Sequence, residues 1–292
     1  MHPQIRTLIA SDGYKLHYRY WMPLGVRPAA SVVALHGIQS HSGWFAYSSR
    51  RLCEAGFEVS FLDRRGSGMN EPARGHAASD RQLVDDVVQM LTSIREQSAG
   101  IAPGKPVILL GVSWGGKLAA VTAARRPDLV DRLALLYPGL RARVRPRWDQ
   151  NLMLTLAGWL GIRNRRIRIP LDNPALFTSD PGWQDFIRSD PLALHEVSTS
   201  FLLANRGLDK ALESVPDAVR CPVLALLAGD DQIVDSRATR EFVSRFASTD
   251  AVVSEYPGAR HTLEFEPVRE EAVGELIRWL NCAAPPPQEI AN

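Results

Sequence analysis

Short, continuous apolar runs alternate along this chain with segments of helical periodicity. The clearest runs are SVVAL (Ser31–Leu35), EVSFL (Glu58–Leu62), PVILL (106–110), RLALL (Arg132–Leu136) and VLALL (223–227). A strand buried on both faces has such a sequence, and helices between the strands cover the two faces of a parallel sheet. The pattern therefore predicts an α/β fold with a mostly parallel sheet, for which 292 residues are sufficient.

Turn and capping signals divide the rest of the alternation into elements. Asp12-Gly13 is typical of a turn between two strands, and Ser79 with Gln82 forms a capping box at the start of a helix. The other predicted elements are strands at 7–10, Lys15–Trp21 and Ala251–Tyr256, and helices at 47–55, 117–126, 236–246 and from Pro267 onward.

The alternation stops for about 85 residues between RLALL and VLALL. Residues 137–222 are rich in Arg and Pro and contain two helical patterns, at 151–160 and 192–205. Because a structureless loop of this length is uncommon in a compact domain, we interpret 137–222 as an inserted helical cap (lid). Residues 1–136 and 223–282 then form the core. The proline-rich residues 283–292 are predicted to be a disordered tail.

Ser113 lies in GVSWGG (111–116), which fits the pattern G-x-S-x-G. The pattern follows a predicted strand and begins a predicted helix, which is the context of a nucleophile elbow. On such a sharp turn a serine needs small neighbours so that its hydroxyl can project from the backbone. Ser113 is therefore the candidate nucleophile. The alternative is a glycine-rich turn whose serine only caps the helix.

A serine hydroxyl needs a base to become a nucleophile, and His261 is the best placed of the seven histidines. It follows the last predicted strand, so it is expected at the carboxyl end of the sheet, where open α/β sheets bind ligands. The acid that orients this histidine is expected after the preceding strand, where Asp230 and Asp231 are adjacent.

An oxyanion hole needs two donors aimed at the substrate oxygen on which charge develops. One is expected from the backbone N–H of Trp114, the residue after the nucleophile, and the other from the loop after SVVAL, where Ile38 is our choice. His36 in the same loop is expected to brace it by hydrogen bonding rather than to act as a second base.

With these residues the chain resembles the α/β-hydrolase superfamily, and within it the monoacylglycerol lipase, lysophospholipase and serine aminopeptidase group. The resemblance rests on ALHGI (34–38), DRRGSG (63–68), GVSWGG (111–116), GDDQIVD (229–235) and His261 followed by Glu264. It implies an eight-stranded, mostly parallel sheet with a helical cap between strands six and seven, and the chain order Ser, Asp, His. It favours Asp231, since Gln232-Ile233-Val234 then fits the group's D-x-apolar-V pattern, while Asp230 stays the alternative.

The chain also departs from the group. Met69 and Asn70 follow DRRGSG where the group usually has a serine, and Ile38 stands where its lipases have a small residue. The bulkier Ile38 is expected to narrow the acyl pocket without removing the backbone donor.

Eight arginines and a single acid, Asp149, lie between Arg141 and Arg168 and flank the apolar run LMLTLAGWLGI (152–162). The arginines are residues 141, 143, 145, 147, 163, 165, 166 and 168. A basic rim around an apolar helix is the pattern of a lid that makes weak contact with an anionic membrane surface. An anionic substrate and a solvated, salt-bridged face are the other interpretations. Nucleic acid is not an expected partner.

The scattered Cys53, Cys221 and Cys282, the absence of a signal sequence and the lack of a long apolar run predict a soluble, cytoplasmic protein. The whole pattern predicts a serine esterase or lipase that cleaves a small-molecule acyl ester or lipid through an acyl-enzyme, with no metal or organic cofactor. An amide or peptide hydrolase with the same triad, and a non-catalytic binding protein on the same fold, remain alternatives.

Overall fold

The computed structural model describes residues 2–99, 104–144, 148–282 and the backbone of 288–289. Its strands are β1 (Gln4–Ile9), β2 (Lys15–Trp21), β3 (Val26–Arg27), β4 (Ser31–Leu35), β5 (Glu58–Leu62), β6 (Val107–Val112), β7 (Arg132–Leu136), β8 (Arg166–Arg168), β9 (Glu196–Ser198), β10 (Val223–Ala228), β11 (Ala251–Tyr256) and β12 (Gln288–Glu289). Its α-helices are α1 (Ala46–Glu54), α2 (Asp80–Ala99), α3 (Trp114–Arg125), α4 (Trp148–Trp159), α5 (Pro181–Ser189), α6 (Thr199–Ala211), α7 (Val215–Ala218), α8 (Ser236–Val243) and α9 (Arg269–Asn281).

One eight-stranded sheet, in the order β1-β2-β5-β4-β6-β7-β10-β11, forms the centre of the molecule. The six strands β5, β4, β6, β7, β10 and β11 are mutually parallel. At one edge of the sheet, β2 pairs antiparallel with β5 and forms an antiparallel hairpin with β1. Strands β4, β5, β6 and β10 are buried at every residue, since both faces of a parallel sheet are covered. The predicted fold is confirmed.

The start of α2 shows how local sequence places a helix. Ser79 Oγ accepts a hydrogen bond from the Gln82 N–H at 3.1 Å, and Gln82 Oε1 accepts one from the Ala78 N–H at 2.8 Å. In the usual capping box the Gln82 side chain would accept from the N–H of Ser79; here it accepts from the N–H of the preceding residue, Ala78. The predicted apolar face of this helix is buried, at Leu83, Val87, Met90, Leu91 and Ile94.

The segment between β7 and β10 contains α4 to α7 together with the strands β8 and β9, which pair antiparallel. The predicted helix at 192–205 is therefore wrong in its first half. Val197 is buried in the two-stranded pairing, and the helix begins only at Thr199, where Ser198 Oγ accepts from the Phe201 N–H at 3.1 Å. The division into a core and a cap, with the cap between β7 and β10, stays a prediction.

Other boundaries differ by a few residues: α8 ends at Val243, and α9 begins at Arg269. The predicted tail 283–292 lies outside the described residues except for β12, whose backbone pairs with β3. Arg145 and Arg147 of the arginine cluster also lie outside them. In the described part of the chain, no helix combines the length and the apolar character needed to cross a membrane.

Candidate active site

Ser113 lies on the turn between β6 and α3, with φ 51° and ψ −123°. A positive φ is strained for a residue with a side chain and costs about 1–3 kcal/mol. Hydrogen bonds hold the turn: the Ser113 N–H donates to the Leu136 carbonyl at 3.0 Å, and the Ser113 carbonyl accepts from Gly116 and Gly139 at 2.8 and 2.6 Å. Among the described residues the side chain makes no capping bond to α3, so the helix-cap interpretation does not fit.

The glycines around Ser113 allow elements to approach the turn closely. A Cβ atom on Gly115 would lie 2.5 Å from the Leu35 and His36 carbonyl oxygens at the end of β4. On Gly116 it would lie 2.5 Å from Pro138 Cβ, and on Gly111 it would lie 2.6 Å from the Cα of Gly116. These glycines therefore serve backbone packing as much as the exposure of the serine hydroxyl.

A chain of two short hydrogen bonds links Ser113, His261 and Asp231. Ser113 Oγ and His261 Nε2 are 2.7 Å apart, and His261 Nδ1 and Asp231 Oδ2 are also 2.7 Å apart. With a proton on Nδ1 pointing at the carboxylate, Nε2 is free to accept the serine proton. Asp231 Oδ1 accepts from the N–H groups of Ile233 and Val234, both at 2.8 Å, so the carboxylate has a fixed orientation.

The neighbouring Asp230 has a different environment. Its side chain is about half exposed, and Oδ2 lies 3.4 Å from an Arg260 guanidinium nitrogen. The structure therefore brings Asp231, and not Asp230, to His261.

The loop after β4 lies beside the serine, and hydrogen bonds of His36 hold it in place. His36 Nδ1 lies 2.7 Å from the Gly37 carbonyl, and His36 Nε2 accepts from the Arg64 N–H at 3.1 Å. Complete burial lowers the pKa of His36 to about 3, so the ring is neutral and acts as a hydrogen-bonding brace. Neither the Ile38 N–H nor the Trp114 N–H donates to another group of the described residues, which leaves both available to a ligand.

A buried cation, Arg64, lies against the same loop. Its Nη2 donates to the Ile38 carbonyl at 2.5 Å, and its guanidinium carbon lies 5.1 Å from the Trp114 ring centroid and 4.8 Å from that of Phe201. Nε and Nη1 find no hydrogen-bond partner among the described residues. Burial lowers the pKa of Arg64 to about 9, so it still carries its charge at neutral pH. It thus contacts both residues chosen for the oxyanion hole.

A small pocket, with a free volume of about 20 Å³, opens beside Ser113. Gly37, Ser113 and His261 belong to its lining. The rest of the lining is mainly apolar and aromatic, with Ile38, Trp44, Phe45, Val112, Tyr137, Leu171 and Phe177, and it also includes the polar residues Gln39, Ser40 and Thr262. No acidic side chain and no arginine of the cluster belongs to this lining in the described part of the chain. The pocket therefore suits an uncharged, partly apolar ligand.

One carboxylate, Asp190, connects the segment 137–222 to the loop after β4. Its Oδ2 accepts from His41 Nε2 at 2.9 Å and from Trp44 Nε1 at 2.5 Å. Burial raises the pKa of Asp190, but hydrogen bonds from His41, Trp44 and the Leu192 N–H outweigh it and bring the pKa down to about 2. This link places Trp44 in the pocket wall.

Of the five residues chosen from sequence, Ser113, His261 and Ile38 line the pocket, Asp231 contacts His261, and Trp114 directly follows Ser113. Their catalytic roles stay predictions. Sequence reasoning missed Arg64, Asp190 and Tyr137, whose ring lies edge-on to His261 with centroids 5.1 Å apart. Arg64 had one signal, since DRRGSG contains two adjacent arginines; Asp190 and Tyr137 had none.

The parallel sheet, with a serine on a strained strand-to-helix turn at its carboxyl edge, defines a serine hydrolase of the α/β-hydrolase fold. The model of the family described as serine aminopeptidase, S33 (Hydrolase_4), matches residues 26–268. The chain therefore belongs to this family.

Relatives over nearly the whole chain support the same grouping. Human monoglyceride lipase is 28% identical, covering 94% of this chain and 89% of that protein. The monoacylglycerol lipase of Mycolicibacterium smegmatis is 27% identical, covering 92% and 93%. An uncharacterized abhydrolase domain-containing protein of Dictyostelium discoideum is 26% identical over 96% of this chain, but the chain spans only 29% of its length.

Solved structures show the same fold. A soluble variant of the Saccharomyces cerevisiae monoglyceride lipase, in complex with a substrate analog, superimposes with a TM-score of 0.86. The match covers 98% of this chain and 97% of that one at 20% identity.

Proposed function

We propose that this protein hydrolyses a carboxylic ester of lipid or acylglycerol type through an acyl-enzyme on Ser113. The observation that carries the proposal is the unbroken chain of 2.7 Å contacts from Ser113 Oγ through His261 to Asp231. Relatives named monoglyceride lipase and monoacylglycerol lipase support this substrate class.

The geometry supports the following sequence of steps. Ser113 Oγ attacks the ester carbonyl while His261 Nε2 takes the hydroxyl proton, and Asp231 stabilises the imidazolium. The N–H groups of Ile38 and Trp114 donate hydrogen bonds to the developing oxyanion. His261 then returns the proton to the leaving alcohol, and water, activated by the same histidine, releases the acid and regenerates Ser113. Residues of this chain supply every step, and no cofactor is required.

An amide or peptide hydrolase with the same triad is the second candidate, because the family description names a serine aminopeptidase. An aminopeptidase must recognise a charged α-amino group, for which a carboxylate is the natural partner. The described lining of the pocket contains no Asp or Glu, which favours the ester.

We further propose a weak membrane contact through α4. Most of its large apolar side chains are exposed; Trp159 is 88% exposed, and Leu160, directly after the helix, is 74% exposed. Arg163 and Arg165 follow it and are exposed as well. Arg166 and Arg168 already contact the Arg74 carbonyl and Asp172, so the solvated-face interpretation applies to that part of the cluster. The combination of exposed apolar and basic side chains suits an anionic lipid surface.

A fluorophosphonate probe and a panel of esters test the proposed reaction. We expect wild-type protein to react with the probe at Ser113 and to hydrolyse p-nitrophenyl esters faster than aminoacyl anilides. Ser113→Ala should lose on the order of 10⁴–10⁶ in kcat while its thermal unfolding stays cooperative. Folded wild-type protein that neither reacts with the probe nor hydrolyses any ester would favour the binding-protein alternative.

A further inference from the structure

Tyr137, the first residue after β7, is held rigidly beside the catalytic histidine. Its φ is +37°, its side chain is buried, and its N–H donates to the Leu226 carbonyl at 2.6 Å. The next residues are equally constrained, since the Gly139 N–H donates to the Ser113 carbonyl. The ring therefore has little freedom to move away from the pocket.

Two cavities share this ring as a wall. The pocket beside Ser113 and a second, similarly small cavity both have Tyr137 in their lining. The other walls of the second cavity are mostly apolar, with Leu226, Leu263, Val273 and Leu276, and they also include Glu264 and Arg269.

We infer that Tyr137 is a specificity-determining residue that closes the acyl subsite and limits the substrates to esters of short acyl chains. The inference rests on the proposed ester hydrolysis. The pocket is small, with a free volume of about 20 Å³. A longer acyl chain would need the space that the ring occupies. The second cavity, with its mostly apolar walls, is bounded by the same ring, so shortening this one side chain joins the two cavities.

The test is the chain-length profile of p-nitrophenyl esters from acetate to laurate. Wild type should prefer acetate and butyrate. In Tyr137→Ala the ratio of kcat/KM for decanoate to that for butyrate should rise at least about tenfold, the scale on which pocket contacts discriminate methylene groups. Tyr137→Phe, which keeps the ring and removes only the hydroxyl, should keep the wild-type order of chain lengths.

A second substitution reaches the same space from the far wall. Val273→Phe on α9 fills the second cavity. Alone it should leave the profile unchanged, because Tyr137 already separates the cavities, whereas combined with Tyr137→Ala it should restore the preference for short chains. If the alanine variant does not fold, Tyr137→Leu replaces it. The ratio of kcat/KM for decanoate to that for butyrate should then rise as well, but by less.

The outcomes separate this inference from the proposed function. A Tyr137→Ala variant that reacts with the fluorophosphonate probe but keeps the wild-type profile overturns the role of Tyr137, and so does a wild type that prefers laurate to butyrate. Wild-type protein that reacts with the probe but hydrolyses only anilides overturns the proposed ester substrate instead.

Discussion

Asp230 and Asp231 are adjacent in the chain but have different chemical environments. Asp231 is buried and its two oxygens accept from His261, Ile233 and Val234, whereas Asp230 is half exposed near Arg260. An acid that orients a histidine must hold one ring nitrogen in the donor state. Only Asp231 has the geometry to do so.

We therefore expect Asp231→Asn to lower kcat for a soluble ester by on the order of 10⁴, because the amide favours the wrong tautomer of His261. Asp230→Asn is the matched control, and its kcat should stay within a few-fold of wild type. Steady-state kinetics on p-nitrophenyl butyrate compares the two. A large loss in Asp230→Asn with little change in Asp231→Asn would assign the acid one residue earlier.

At the scale of elements, α4 differs from the helices that flank the sheet. Leu154 is its buried residue, while Leu152, Met153, Leu156 and Trp159 are exposed. A surface helix of a soluble domain normally turns its apolar side chains inward. The proposed membrane contact rests on these exposed apolar side chains of α4 and on the nearby Arg163 and Arg165.

Charge reversal tests this contact without changing the apolar side chains. Arg163→Glu with Arg165→Glu should weaken binding to anionic vesicles by at least about 30-fold, because each basic residue near such a surface contributes about 1 kcal/mol. Co-sedimentation at low and moderate salt measures the binding, and turnover of a soluble ester should change by no more than a few-fold.

Arg81→Glu with Arg237→Glu, two exposed arginines on α2 and α8, is the matched control and should bind vesicles like wild type. If wild type never sediments with vesicles, the basic segment is a solvated face. Equal losses in both double variants would mean that only net charge matters.

At the scale of the whole molecule, the stability of the fold depends on a buried carboxyl group. Glu264 is fully buried, and its Oε1 accepts from the Ser48 N–H at 3.0 Å. Burial raises the pKa of Glu264 from 4.5 to about 7, against the opposing effect of the hydrogen bonds from Ser48. Between these two values the folded protein holds a proton that the unfolded chain has lost. The free energy of unfolding therefore falls as pH rises from about 4.5 to about 7.

Glu264→Gln should remove this pH dependence, which for the shift above amounts to roughly 3 kcal/mol. Urea unfolding at pH 5, 6 and 7.5 gives the slope for each protein. Glu241→Gln, on an exposed part of α8, should keep the wild-type slope. An unchanged slope in Glu264→Gln would show that other groups cause the pH dependence.

Much of the sheet was predictable from local sequence. The strands Ser31–Leu35, Glu58–Leu62, Arg132–Leu136 and Ala251–Tyr256 have their predicted bounds. The first three are mostly apolar runs of five residues, a length and composition that fit buried strands. The helix predicted at 192–205 was wrong in its first half, because β9 pairs with β8 and the cap at Ser198 starts the helix only at Thr199.

The motif GVSWGG with His261 and two candidate aspartates was visible in sequence, because the elbow, the strand ends and the chain order are local features. The resemblance favoured Asp231 over Asp230, and the tertiary structure brought Asp231 to His261. Only the tertiary structure placed the cation of Arg64 against the loop after β4 and put the ring of Tyr137 in the walls of two cavities. His41 and Asp190 are 149 residues apart in the chain and in hydrogen-bonding contact in the fold. Such partners depend on which strand ends the sheet order brings together, and local periodicity contains no information about that order.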